Sequence, residues 1–119
     1  MTGQPYGIEL VLDLAGCDLS DLSTARIREY FVELCDLIQM KRHGEPVFWS
    51  DESGDPRLHG ISGFQFIETS NVVCHALSLR KAVYLNIFSC KSFEFAAATQ
   101  FSTSFWRSTS ASVTLLTRH

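Results

Sequence analysis

Between Ile8 and Leu14 every second side chain is a large aliphatic, and Glu9 and Asp13 fall on the alternate positions. A period of two belongs to a strand buried on one face, and Gly16-Cys17-Asp18 ends it. Further on, Ile27, Phe31, Leu34 and Ile38 recur at helical spacing with Tyr30 alongside. That stripe predicts a helix capped by Asp21 or Ser23. Lys41, Arg42 and His43 suit its C-terminal dipole, and Gly44 suits its exit. Pro46 to Trp49 reads as a short strand, and the polar stretch Ser50 to His59 as a loop. Three strand-like runs follow: Ile61 to Glu68, Val72 to Leu77 and Ala82 to Ser89. A second helix from about Lys91 carries Phe93, Ala97, Phe101 and Phe105 at four-residue steps. Ser102 to Ser112 reads as a fraying helix end and a loop, and Ser112 to Thr117 as a closing strand.

The resulting order, β-α-β-β-β-β-α-β, predicts an α+β fold: a two-layer sandwich whose largely antiparallel sheet carries both helices on one face. A chain of 119 residues without internal repeats fits a single domain over 1–119. Charged residues are 19% of the chain, against the usual ~25%, and nine are phenylalanine. That is more apolar surface than one small core needs, so the uncovered sheet face predicts a homodimer, or a heteromer with an active paralogue. Ten basic and thirteen acidic residues give a net charge of −3. With no basic excess, nucleic acid is not the expected partner. No apolar run reaches the ~20 residues of a membrane span, and the stretch from Met1 to Pro5 lacks the pattern of a secretion signal. The expected compartment is the cytoplasm. Cys17, Cys35, Cys74 and Cys90 are 18, 39 and 16 residues apart, without the close pairs that zinc sites use. They are read as free thiols, and no metal is expected.

The candidate chemistry lies in Ser70, His75 and Cys90. If the hairpin between the Val72 and Ala82 runs turns near Arg80, facing residues sum to about 160. Ser70 then lies across from Cys90, and His75 across from Leu85. Facing Cβ atoms are about 5 Å apart, so Ser70 and Cys90 would share a pocket. His75 falls on the other face of a regular strand, and a bulge near Asn71, or Ser70 just off the strand end, would bring it in. Singly, these are a turn serine, a hydrogen-bonded histidine and a core cysteine. A nucleophile pair of Cys90 and His75 lacks a supporting third group.

Asp13-Leu14-Ala15-Gly16-Cys17-Asp18 resembles the "DLYGCD" of bacterial S-adenosylmethionine decarboxylases, and Gly60-Ile61-Ser62-Gly63 resembles their "GVSG". Ser70 follows Ser62 by eight residues, His75 follows by five more and Cys90 by fifteen more. Those intervals are similar to the family's own, and Phe88-Ser89-Cys90 resembles its "FTC". The resemblance implies a proenzyme of polyamine (spermidine) biosynthesis. In it a serine attacks the preceding peptide carbonyl, and the resulting ester eliminates to leave a pyruvoyl group. That group takes the substrate amine as a Schiff base and absorbs the electrons released with CO2. Ser70 would be the pyruvoyl precursor, the Thr69–Ser70 bond the one cut, Ser62 and His75 the processing residues and Cys90 the proton donor. A donor thiol keeps its proton best when partly buried.

This chain departs from the family beside the serine and after the histidine. The family cuts a Glu-Ser bond followed by His; here the run is Glu68-Thr69-Ser70-Asn71. The family's "HTWPE" reads His75-Ala76-Leu77-Ser78-Leu79, so an aromatic residue and a carboxylate used on the substrate are replaced by Leu77 and Leu79. Three readings stand side by side. One is an S-adenosylmethionine decarboxylase proenzyme. Another is a pyruvoyl decarboxylase for a different amine, such as ornithine or arginine. The third is an uncleaved, non-catalytic paralogue acting as a ligand-binding or regulatory subunit. Glu9 and Asp13 leave activation by a polyamine open.

Overall fold

The computed structural model describes residues 4–119. Met1 to Gly3, part of the stretch read for a leader, lie outside the described residues. The elements are β1 (Gly7–Ala15), α1 (Thr24–Leu37), β2 (Val47–Asp51), β3 (Gly60–Ile67), β4 (Ser70–Leu77), β5 (Ala82–Ser89), α2 (Phe95–Phe105) and β6 (Ser110–Arg118). The order is the expected one. All six strands form one sheet, β2-β3-β4-β5-β1-β6, and each neighbouring pair is antiparallel.

Parity divides the sheet into two faces. Leu10, Leu12 and Leu14 of β1, Val72, Cys74 and Ala76 of β4, and Val83, Leu85 and Ile87 of β5 are buried under the helices. Gly63 of β3 leaves room there: a Cβ would sit 2.9 Å from Ile27 Cγ2 and 3.1 Å from Phe31 Cε2. The helices lock through Tyr30, whose ring packs among Phe101, Phe105 and Trp106. Its hydroxyl meets Ser102 Oγ at 2.8 Å, and Ser102 in turn donates to Ala98 O. Arg26 stacks on Phe105 at 3.7 Å and donates to its carbonyl.

Several boundaries differ from expectation. Ser23, not Asp21, caps α1, accepting from Arg26 N. α1 ends at Leu37, because Gln39 takes a left-handed φ of 59° and turns the chain. Lys41, Arg42 and His43 therefore lie beyond the helix, with Arg42 bridging to Ile67 of β3. α2 starts at Phe95, so Phe93 precedes it, and its buried positions are Ala98, Ser102 and Phe105. The serine-rich stretch is helix to Phe105 and loop over 106–109 as expected, but the strand starts already at Ser110.

Candidate active site

On the uncovered face, register aligns one residue from each strand in a row: Trp49, Ser62, His75, Tyr84, Asp13 and Ser112. His75 thus faces Tyr84, not Leu85. The β4–β5 loop is Ser78 to Lys81, with Lys81 left-handed at φ 54°, so facing residues sum to 159. Ser62 is the other neighbour of His75, and its Oγ lies 2.7 Å from His75 Nδ1.

Ser70 is elsewhere. It is the first residue of β4, 5% exposed, with the parity of the helix-covered face. Its Oγ accepts the Cys90 N–H at 3.2 Å and lies 3.9 Å from Cys90 Sγ. Thr69 Oγ1 is closer to that sulfur, at 3.0 Å. The β3–β4 turn has only two residues, since Ile67 pairs with Ser70. Its second residue, Thr69, sits at φ 53°, a position suited to glycine or asparagine and strained for a β-branched side chain. The bond after the strained residue is the one the serine would attack.

Ser70 and Cys90 are therefore in contact, and Ser62 and His75 are in contact, but the two pairs are apart. The β4 register runs unbroken from Asn71 to Leu77, with no bulge at Asn71. Five residues of strand, about 16 Å, and opposite parity separate Ser70 from His75.

Cys90 is half-buried, as a donor thiol was expected to be, but its hydrogen bonds work the other way. The Thr69 hydroxyl, helped by that of Ser70 and more weakly by the Lys91 charge, holds its pKa below the ordinary 9.0. Burial instead pushes Cys17 and Cys35 up to about 11, and Cys74 higher still. All four thiols are free.

Sequence reasoning missed a cavity of about 610 Å3 on the uncovered face, at the end of the sheet remote from Thr69. Ser62 and His75 line it together with Trp49, Arg57, Arg80 and Tyr84. Arg57 comes from the loop between β2 and β3, which is shorter than expected because Ser50 and Asp51 belong to β2, and Arg80 from the β4–β5 turn. Neither loop carried a pattern that would bring its arginine to a site.

The two-layer α+β architecture, with one antiparallel sheet and a serine–cysteine contact at a strained hairpin, defines the class of fold. It is similar to the crystal structure of the adenosylmethionine decarboxylase from Aquifex aeolicus, with a TM-score of 0.81 at 13% identity over 98% of this chain and 92% of that one. No curated protein matches the chain. Residues 8–119 match the family model for S-adenosylmethionine decarboxylase, and the chain belongs to that family.

Proposed function

We propose that the chain is a self-processing proenzyme that cuts its own Thr69–Ser70 bond and decarboxylates S-adenosylmethionine for polyamine synthesis in the cytoplasm. The observation that carries this is the strained Thr69 immediately before a buried serine whose hydroxyl is held by Cys90. Attack of Ser70 Oγ on the Thr69 carbonyl would replace the amide by an ester and free the backbone from φ 53°, so strain favours the first step. The residues fit the pyruvoyl group that would follow. Ser70 is enclosed, the adjoining Cys90 N–H can donate to a keto oxygen, and the half-buried thiol can reach the neighbouring carbon. Once formed, that group supplies the electron sink for CO2 loss.

Ser62 and His75 cannot reach Ser70 within one chain, so their part in processing requires a second copy. The face that bears them offers the surface for it: Val47, Phe66 and Leu116 are 65%, 56% and 45% exposed there. In a homodimer whose contact brings this face to the Thr69–Ser70 turn at the end of the other copy's sheet, His75 of each copy would serve Ser70 of the other, taking the hydroxyl proton as the ester forms.

Intact mass under denaturing conditions, before and after incubation at neutral pH, tests cleavage. The expected products are chains of 69 and 50 residues, the second blocked at its N-terminus, and none from Ser70→Ala. Cleaved protein should release CO2 from S-adenosylmethionine, and turnover of ornithine or arginine alone would reassign the substrate. A chain that stays at full mass would leave ligand binding or regulation of an active paralogue as its role. Co-expression of Ser70→Ala with His75→Ala tests the shared site: each alone stays whole, whereas the mixture should cut the His75→Ala chain.

A further inference from the structure

Two hydroxyls hold the sulfur of Cys90. Thr69 Oγ1 lies 3.0 Å from it and Ser70 Oγ 3.9 Å, and the Ser70 oxygen also accepts the Cys90 N–H at 3.2 Å. Hydroxyl donors favour a thiolate, and these two, Thr69 foremost, draw the Cys90 pKa below 9.0 against the opposing effect of burial. The charged groups nearby contribute less. Lys91 acts on the sulfur more weakly than either hydroxyl, and it pairs with Glu68 at 3.6 Å. Lys41 borders the same shallow hollow as Glu68, Ser70 and Lys91. The sulfur is thus set by the two residues that flank the bond proposed to be cut.

The cut proposed above, on which this inference rests, undoes both contacts. Attack of Ser70 Oγ on the Thr69 carbonyl turns the amide into an ester and frees the Ser70 nitrogen as an amine. Elimination then takes the Ser70 Cα proton and breaks the Cβ–Oγ bond, so that Oγ leaves as one oxygen of the Thr69 carboxylate. Water replaces the nitrogen, which departs as ammonia, and a keto group remains. The Ser70 hydroxyl is gone. Thr69 becomes a chain end with a negative charge, released from the two-residue turn that held it at φ 53°. If that end stays in place, its carboxylate opposes a thiolate, and if it swings away, its hydroxyl no longer reaches the sulfur. Either way the thiol holds its proton more firmly.

We propose that self-cleavage switches Cys90 from a thiol poised to lose its proton into one that keeps it. A half-buried thiol suits a proton donor, while its hydroxyl neighbours suit a thiolate. The two settings belong to the protein after and before the cut. The change protects the new group, because a thiolate is a nucleophile and would add to an adjoining keto carbon. It also leaves Cys90 with a proton to give when the substrate has lost CO2.

Wild-type protein stopped part-way through its incubation holds both forms and tests the switch. Aliquots are alkylated briefly with iodoacetamide across a pH series. Intact mass under denaturing conditions then counts the adduct on the 119-residue chain and, separately, on the 50-residue piece, which carries Cys90 and the buried Cys74. Both forms share one tube, so Lys41, Glu68, Lys91 and His75 of the other copy are common to them. Cys90 of the piece should label with a higher midpoint than Cys90 of the uncut chain, and several-fold more slowly at a pH between the two midpoints. In the uncleavable Ser70→Ala chain, adding Thr69→Val should raise the midpoint without any cut, which ties the effect to the hydroxyl. An equal or lower midpoint in the piece, or no rise on adding Thr69→Val, overturns the switch and leaves the cleavage reading standing. A chain that never cuts fails the cleavage reading, and the switch falls with it.

Discussion

A threonine at φ 53° gives up the conformations that its branched Cβ prefers, at a cost of about 1–3 kcal/mol. Thr69→Gly removes that cost, and urea unfolding should find the uncleavable Ser70→Ala background more stable by about 1 kcal/mol once it is added. In the chain with Ser70 intact the same change should slow cleavage, because the strain no longer assists attack. Thr69→Val separates the second role of this residue, since it keeps the branch and loses the hydroxyl. The Thr69 hydroxyl holds the Cys90 pKa below 9.0. Alkylation of Cys90, followed by mass, should therefore rise with a midpoint below pH 9 and shift upward in Thr69→Val. Cys17, Cys35 and Cys74 are buried and shifted the other way, so they should remain unlabelled while the protein is folded.

At the scale of elements, α1 lies close against the sheet at Gly63. A valine there would drive its Cβ to 2.9 Å from Ile27 and 3.1 Å from Phe31. Gly63→Val should cost about 1–3 kcal/mol in urea unfolding, as overpacked cores do. The elements were legible because their periods are strong: the Leu10, Leu12, Leu14 alternation and the Ile27, Phe31, Leu34 stripe each admit one reading. Their limits were less so. Gln39 turns left-handed where no glycine marks the exit, and Ser102 is a fully buried polar residue satisfied by Tyr30 and Ala98, which a hydropathy pattern reads as surface. The hairpin register was missed by one residue because Lys81, not glycine, takes the left-handed position. That single step moved the residue facing His75 from Leu85 to Tyr84.

On the scale of the molecule, the proposed pairing through the uncovered face is what would bring Ser70 and His75 together. Phe66→Asp puts a charge on the surface proposed to pair. It should give a monomer by sedimentation and, with it, a chain that no longer cuts itself. Spacing along the sequence carried the candidate residues but could not carry this separation, which depends on the parity of β4 and the lack of a bulge. The buried thiols act on the whole fold. Cys17 and Cys35 keep their protons to about pH 11 when folded and lose them near 9 when unfolded. Their contribution to stability is full below about pH 9 and is lost as pH rises toward 11. Thermal melts across that interval should show a fall in Tm that Cys17→Ala and Cys35→Ala each make shallower.

The place of β1 has a consequence for the life of the chain. It leaves the ribosome first, yet it lies between β5 and β6, the last two strands to be made. β1 cannot pair until synthesis has reached β5, and β5 leads into Cys90, so a cut at Thr69 that needs Cys90 comes after the two halves are interleaved. The first piece would hold β1, β2 and β3, and the second β4, β5 and β6, with β1 threaded into the second piece and β3 zipped to β4. A cut protein should therefore elute from a sizing column as one particle and come apart only in denaturant. Neither piece carries a whole sheet, so once separated they should fail to regain the fold unless mixed.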